Sequence, residues 1–198
     1  MERTVVEPTI IDDFLPNFYY KVLFDTISSP DFTWKFLNSS SGWENVQYPD
    51  DIKISERQEG LAHLIVGEDH GVLHTSEYHN LFIPIYSAME EKFNFKITEI
   101  LRTRIGRTIN TGSHGYGNPH VDFTFPHLTM LWYLNDSDGD TVIYNEKFSE
   151  NNNKLTIKMK NTPKKNQALL FDGLHFHSSG IPSSSLDRIV LNINFFIQ

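Results

Sequence analysis

The chain has 198 residues, 39% of them hydrophobic and 13% aromatic, a composition that excludes a disordered chain and suits one globular domain with a substantial core. Its formal charge of −8 argues against a nucleic-acid partner, and the absence of cysteine excludes a disulfide framework and thiolate metal sites, so a transition metal would have to be held by histidine and carboxylate. No run approaches the ~20 apolar residues of a membrane span, and the opening MERTVVEPTI lacks the basic-then-apolar order of a signal peptide, so a cytosolic protein with no membrane partner is expected.

The first predicted elements are a short apolar strand in TVVEPTII and a helix announced by Asp12, Asp13 and Pro16, with Phe18, Val22, Leu23 and Ile27 as its apolar positions. From 30 to 75 the Ser-, Asp- and Gly-rich composition predicts irregular structure and short strands. TSEYHNLFIPIYSAMEEKFNF predicts a second helix, capped by Thr75 with Glu77 following, apolar at Leu81, Phe82, Ile85, Met89 and Phe93, and kinked at Pro84. Beyond it, KITEILRTRIGRTIN, HLTMLWYLN, DTVIYNE, KLTIKMKN, QALLFDG and DRIVLNINFF alternate as strands do, and the triple asparagine at 151–153 reads as a loop. Helices first and strands afterwards predict a mainly-β jelly roll or barrel backed by N-terminal helices.

Alternation also assigns faces. On the last strand Ile189, Leu191, Ile193 and Phe195 share one side, while Arg188, Val190, Asn192 and Asn194 share the other and line an interior or face solvent. In HLTMLWYLN, Leu128, Met130, Trp132 and Leu134 oppose Thr129, Leu131 and Tyr133, so Tyr133 and Arg188 can look into one cavity. Arg102, Arg104 and Arg107 fall in one strand, where they shape an acidic-substrate site or pair with surface carboxylates, and KMKNTPKK reads as a solvated hairpin.

The chemistry starts at GNPHVDF, where His120 and Asp122 project from the same side of a predicted strand and can reach one ion. His175 and His177 follow the apolar LLFDG, and either completes a set of two histidines and one carboxylate. Such a set leaves three positions open on a non-haem Fe(II), enough for a bidentate cosubstrate and dioxygen. Arg188, about ten residues further on, would form a bidentate pair with the distal carboxylate of that cosubstrate, which is then a diacid.

The ordered set His120-x-Asp122, LTMLWYLN, GDTVIY, LLFDG, His177 and Arg188 followed by IVLNINF resembles the iron- and 2-oxoglutarate-dependent oxygenases, in particular their prolyl-4-hydroxylase-like branch. The motifs run from about residue 98 to the C-terminus, and IIDDFLP before a helix is similar to the usual entry into that fold. The resemblance implies a double-stranded β-helix with helices packed on one sheet, in a single oxygenase domain over 1–198 with its catalytic core at about 95–198. It implies that His120, Asp122 and His177 bind iron, the family spacing favouring His177 over His175, and that Arg188 holds the C5 carboxylate of 2-oxoglutarate. Tyr133 would assist this carboxylate and Thr141 would line its pocket.

The implied activity consumes 2-oxoglutarate and O2, hydroxylates a peptidyl proline or a related amino-acid side chain, and releases succinate and CO2. The alternatives are a catalytically silent binding module and a small-molecule oxygenase on the same fold. A cupin-like site using His175-x-His177 lacks the downstream Glu ligand and leaves Arg188 unexplained. One departure from the family pattern is PKKNQ, which replaces the common Pro-x-x-Gly turn before ALLF.

Other motifs have blander readings. NTGSHGYGN lacks the Gly-Lys-Ser/Thr ending of a phosphate loop and reads as a mobile loop or substrate lid carrying His114 and Tyr116. NDSDGDT is a tight hairpin rather than a Ca²⁺ loop, because its glycine is two positions early and Lys147 stands where the closing Glu belongs. His127 reads as structural, and histidines 63, 70, 74 and 79 show no ligand-like grouping.

Overall fold

The structure is a computed structural model that describes residues 6–37, 47–55, 59–69, 71–149 and 154–198; the triple-asparagine loop and His70 lie outside the described residues. In chain order the elements are β1 (Thr9–Ile11), α1 (Asn17–Ile27), β2 (Lys35–Leu37), β3 (Gly60–Asp69), β4 (Val72–Thr75), a 3-10 turn (His79–Leu81) and α2 (Ile83–Phe93). Then come β5 (Ile97–Ile109), β6 (Leu128–Tyr133), β7 (Thr141–Lys147), β8 (Ile157–Asn161), β9 (Gln167–Asp172), β10 (His175–Ser179) and β11 (Asp187–Ile197). The larger sheet runs β1-β9-β6-β11-β5-β3-β2 with β4 on β3, and the smaller runs β10-β7-β8. Their inner faces meet where Leu131, Tyr133, Leu169, Phe171 and Val190 pack on Ile143, giving the expected double-stranded β-helix. No helix among the described residues is long and apolar enough to cross a membrane.

The outer face of the large sheet carries the main core. Ile189, Leu191, Ile193 and Phe195 of β11 and Leu128, Met130 and Trp132 of β6 pack with Leu23 and Ile27 of α1 and Ile85 and Met89 of α2. The face assignment read from alternation therefore holds on both strands. Of the apolar positions read for α1 from helical spacing, Leu23 and Ile27 are buried as expected, but Phe18 is 81% exposed and Tyr20 is buried in addition. At 100° per residue Phe18 lies opposite Ile27, and Tyr20 instead turns inward to donate its hydroxyl to the Leu134 carbonyl at 2.7 Å.

The second helix begins later than its sequence suggests. Thr75 ends β4 and caps nothing, a 3-10 turn intervenes, and Pro84 sits in the first turn of α2, where its missing N–H is no loss and no kink results. The segment from 30 to 75 holds more strand than expected, chiefly the ten-residue β3, which pairs along β5. Its alternation is concealed by a register shift between Leu64 and Val66.

The turn that departs from the family pattern ties the N-terminus to the sheet. Asn166 stands in the left-handed region at φ 60, which asparagine tolerates, so glycine is not required there. Its side chain accepts from Leu15 N at 3.0 Å and Trp132 Nε1 at 3.1 Å and donates to Leu15 O at 2.8 Å. Its main chain bonds Phe14 and Tyr133, both at 2.8 Å. Asn166→Ala leaves three buried polar groups unpaired and is expected to cost roughly 3 kcal/mol or more in urea unfolding; a loss below about 1 kcal/mol would show that the clamp is redundant.

Candidate metal and anion site

Between the two sheets lies a cavity of about 520 Å³ whose lining includes His120, Asp122, Thr141, His177, Arg188 and Asn192. His120 and His177 meet through the backbone: each N–H donates to the other's carbonyl, at 3.0 and 2.9 Å, so a single antiparallel bridge carries both rings, whose centroids are 4.5 Å apart. The GNPHVDF segment is thus joined to β10 by isolated bridges rather than being the strand its pattern suggests. Tyr116 pairs with Gly180 but His120 pairs with His177, a one-residue slip in register, and Pro119 has no N–H to give to a ladder between them.

The ligand atoms of His120, Asp122 and His177 lie within 4.8 Å of one another. His120 Nδ1 donates to the Asn118 carbonyl at 3.0 Å and His177 Nδ1 to the His175 carbonyl at 3.2 Å. A carbonyl can only accept, so Nδ1 of each ring carries a proton and Nε2 is the nitrogen left to face a metal, the arrangement a metal-ligating histidine needs. Burial, then the charge of His120, pushes His177 down to about 4, so its ring is neutral at physiological pH.

Burial by itself would raise the Asp122 carboxyl, but Arg102, then His177 and His120, with an amide hydrogen bond from Asn192, hold it well below the usual carboxylate range. Arg102 Nη2 pairs with Oδ1, while Asn192 and Asn194 donate to Oδ2 at 3.0 and 2.9 Å. Two lone-pair directions at Oδ2 are filled and one at Oδ1 remains. The donor set, two imidazoles with Nε2 left free of the carbonyl contacts and one ionised and oriented carboxylate, fits a hard-to-borderline divalent ion such as Fe(II).

His175 has a different task. Its Nδ1 donates to the Tyr144 carbonyl at 2.8 Å, and a bulge between His175 and His177 separates their settings. His127 is buried against Gly173, where an added Cβ would stand 2.2 Å from its Nε2, and it lies outside the cluster.

Further along β11, Arg188 is buried with Nη2 donating to Thr141 Oγ1 at 2.7 Å, and Tyr133 shares that oxygen at 2.8 Å. Thr141 and Arg188 line the cavity, while Tyr133 is fully buried behind Thr141. Arg188 Nε has no hydrogen-bond partner, and among the described residues no carboxylate forms an ion pair with this guanidinium. A buried cation left in that state calls for an anion. Gly139 permits this packing, since a Cβ there would lie 2.6 Å from Gly180 O and 3.1 Å from Arg188 Cδ.

Two loops differ from their sequence readings. In NTGSHGYGN, Tyr116 N donates to Lys53 O, Ser55 N to Tyr116 O and Ile181 N to Gly115 O, so Gly115 and Tyr116 are laced between two segments. Neither His114 nor Tyr116 lines the cavity. In NDSDGDT, Asp138 accepts from Ser183, Ser184 and Ser185, Asp136 from Lys165 N and Asp140 from Thr162, which employs all three carboxylates without an ion. Pattern alone did not single out Arg102 as the counterion of Asp122, because the two are joined only by tertiary contact.

No family model matches the sequence, and no curated protein matches it. The fold is that of the 2OG-Fe(II) oxygenases. A 2OG-Fe(II) oxygenase-family oxidoreductase from Burkholderia pseudomallei aligns with TM-score 0.62 over 95% of this chain and 84% of its own, at 10% identity. A Trichoplax adhaerens prolyl hydroxylase, solved with a hypoxia-inducible-factor peptide fragment, aligns with TM-score 0.55 over 96% and 83% at 16% identity. The non-haem α-ketoglutarate-dependent epimerase SnoN of nogalamycin biosynthesis aligns with TM-score 0.62 over 96% and 77% at 11% identity. At these identities the likeness is one of fold.

Two measurements follow from the site. His177, His175 and His127 are all pushed down by burial, so the unfolded chain takes up protons first as pH falls below their ordinary value of 6.5. The melting temperature of the metal-free chain should therefore fall between pH 6.5 and about 4, the folded value of His177; a flat profile across that window would contradict the burial of the three rings. Asn194→Leu removes one support of Asp122 and is expected to weaken Mn(II) binding, followed by calorimetry, roughly 10- to 100-fold.

Proposed function

We propose that the protein is a non-haem Fe(II)- and 2-oxoglutarate-dependent dioxygenase, a single domain with its catalytic core from about residue 95, acting in the cytosol. The reaction in this reading hydroxylates a peptidyl proline or a related amino-acid side chain and releases succinate and CO2. The observation that carries it is Arg188: a buried guanidinium with an orphan Nε opens onto the same cavity as a His-Asp-His cluster.

His120 and His177 would hold the metal through Nε2, and Asp122 through the lone pair that Arg102 leaves on its carboxylate. Arg188 would receive the far carboxylate of 2-oxoglutarate, with Thr141 accepting from the guanidinium and Tyr133 holding the threonine hydroxyl in place. Asn192 and Arg188 are four residues apart on β11, roughly 13 Å of strand, a span that two side chains and a five-carbon diacid can bridge. Val121, Leu131 and Val190 supply apolar walls that limit water beside the reacting centre. Fe(II) held there would supply open coordination positions for the 2-oxo acid and for dioxygen, the oxidant whose four-electron reduction is shared between decarboxylation of the 2-oxo acid and hydroxylation of a C–H bond. The Trichoplax hydroxylase and its peptide support a peptide substrate, and the epimerase supports a small-molecule one.

Anaerobic addition of Fe(II) and 2-oxoglutarate should produce a weak visible charge-transfer band. His177→Ala should abolish it. Arg188→Ala should weaken 2-oxoglutarate binding roughly 30-fold or more, as removing one partner of a buried charge pair does; an unchanged band in both variants would sink the assignment.

A further inference from the structure

Among the described residues four arginines line the cavity: Arg102, Arg104, Arg107 and Arg188. Arg102 is neutralised by Asp122, and Arg107 by Asp187 at 2.6 Å. Arg188 belongs to the cosubstrate in the reading above. Arg104 remains, and among the described residues it has neither a hydrogen-bond nor an ion-pair partner. Among the described residues Glu59 and Asp122 are the carboxylates in the lining, and neither forms an ion pair with it.

The position of Arg104 follows from register. On β5, Arg102, Arg104, Gly106 and Thr108 stand opposite Asn194, Asn192, Val190 and Arg188 of β11, so all eight share the cavity face. Arg104 is directly across from Asn192, the residue whose amide holds Asp122 and whose Oδ1 is itself buried without a partner. Burial, then the neighbouring Arg102, lowers its proton affinity, with Asp122 opposing; the guanidinium stays charged and poorly solvated. Next along the same face, Gly106 interrupts a strand interior, and a Cβ built on it would meet nothing within 4 Å. Glycine weakens a strand unless something must approach the backbone, so this open floor is room for a ligand.

We propose that Arg104 anchors an acidic group of the substrate, which lies over Gly106 with its carboxylate paired to this guanidinium and a donor group facing Asn192 Oδ1. The inference rests on the oxygenase reading and narrows it: the substrate is an acidic amino acid or acidic side chain, and its acid lies close in space to the carbon presented to the His-Asp-His cluster. A carboxylate is the proposed chemistry, and phosphate is the competing source of negative charge.

The test uses the full chain with Fe(II) and 2-oxoglutarate under anaerobic conditions, titrated with L-aspartate, L-glutamate, their N-acetyl amides, the matching asparagine and glutamine compounds, and inorganic phosphate. Calorimetry and perturbation of the visible band are the readouts. At least one carboxylate probe should bind tenfold or more tightly than its amide counterpart and than phosphate, and Arg104→Gln should erase that preference while Arg104→Lys retains part of it. Free amino acids against N-acetyl amides separate a small-molecule from a peptide substrate. Equal binding of acids and amides, tighter binding of phosphate, binding of no probe, or an undiminished preference in Arg104→Gln would each overturn the proposal. Loss of the 2-oxoglutarate band in Arg104→Gln would overturn it too, by assigning Arg104 to the cosubstrate. If the wild-type chain shows no band yet keeps an Arg104-dependent acid preference, the oxygenase reading fails and the anion site stands.

Discussion

The central position of β11 constrains everything else. It lies between β5 and β6 in the large sheet, so both of its edges are hydrogen-bonded and its two faces have no freedom to exchange. One face completes the core beneath the helices, and the other delivers Arg188, Val190 and Asn192 to the cavity and Asn194 to the Asp122 carboxylate. A one-residue slip would bury the arginine under the helices and turn four large apolar side chains into the cavity. The stability of the core therefore also holds the site in register.

Asp122 is where that constraint meets chemistry. An almost enclosed carboxylate is costly unless its oxygens are paired, and here the pairing comes from two elements, Arg102 of β5 and the two asparagines of β11. The histidines arrive by another route, through a single backbone bridge between a segment that is barely a strand and β10. The site is thus held by side-chain hydrogen bonds on one side and main-chain hydrogen bonds on the other, and each ring's Nδ1 contact aims the remaining nitrogen inward.

Much of this was legible in the sequence because it depends on strict alternation. The strands from β5 onward and the two faces of β6 and β11 follow from period-two patterns, the pairing of His120 with Asp122 follows from a short spacing, and their grouping with His177 comes from the family resemblance. The errors arose where the pattern was short or interrupted. Phe18 looked like a core residue because α1 carries apolar side chains on both sides, and β3 was obscured by its bulge and by the polar region around it. Asn166 looked like a flaw in a turn, yet it accepts the left-handed conformation and clamps the N-terminal segment.

The sequence by itself determined the order of elements, the faces of the long strands and the chemical types available for a metal and an acid, since each depends on neighbours within a few residues. Only the tertiary structure decided which charges cancel. Arg102, Arg104 and Arg107 are equivalent as a pattern on β5, and they are distinguished by Asp122 from one loop and Asp187 from the start of another strand. Counterions are selected by distance in space, which no local pattern encodes, and among the described residues that selection left Arg104 and Arg188 as the two cations facing the cavity without an ion-pair partner.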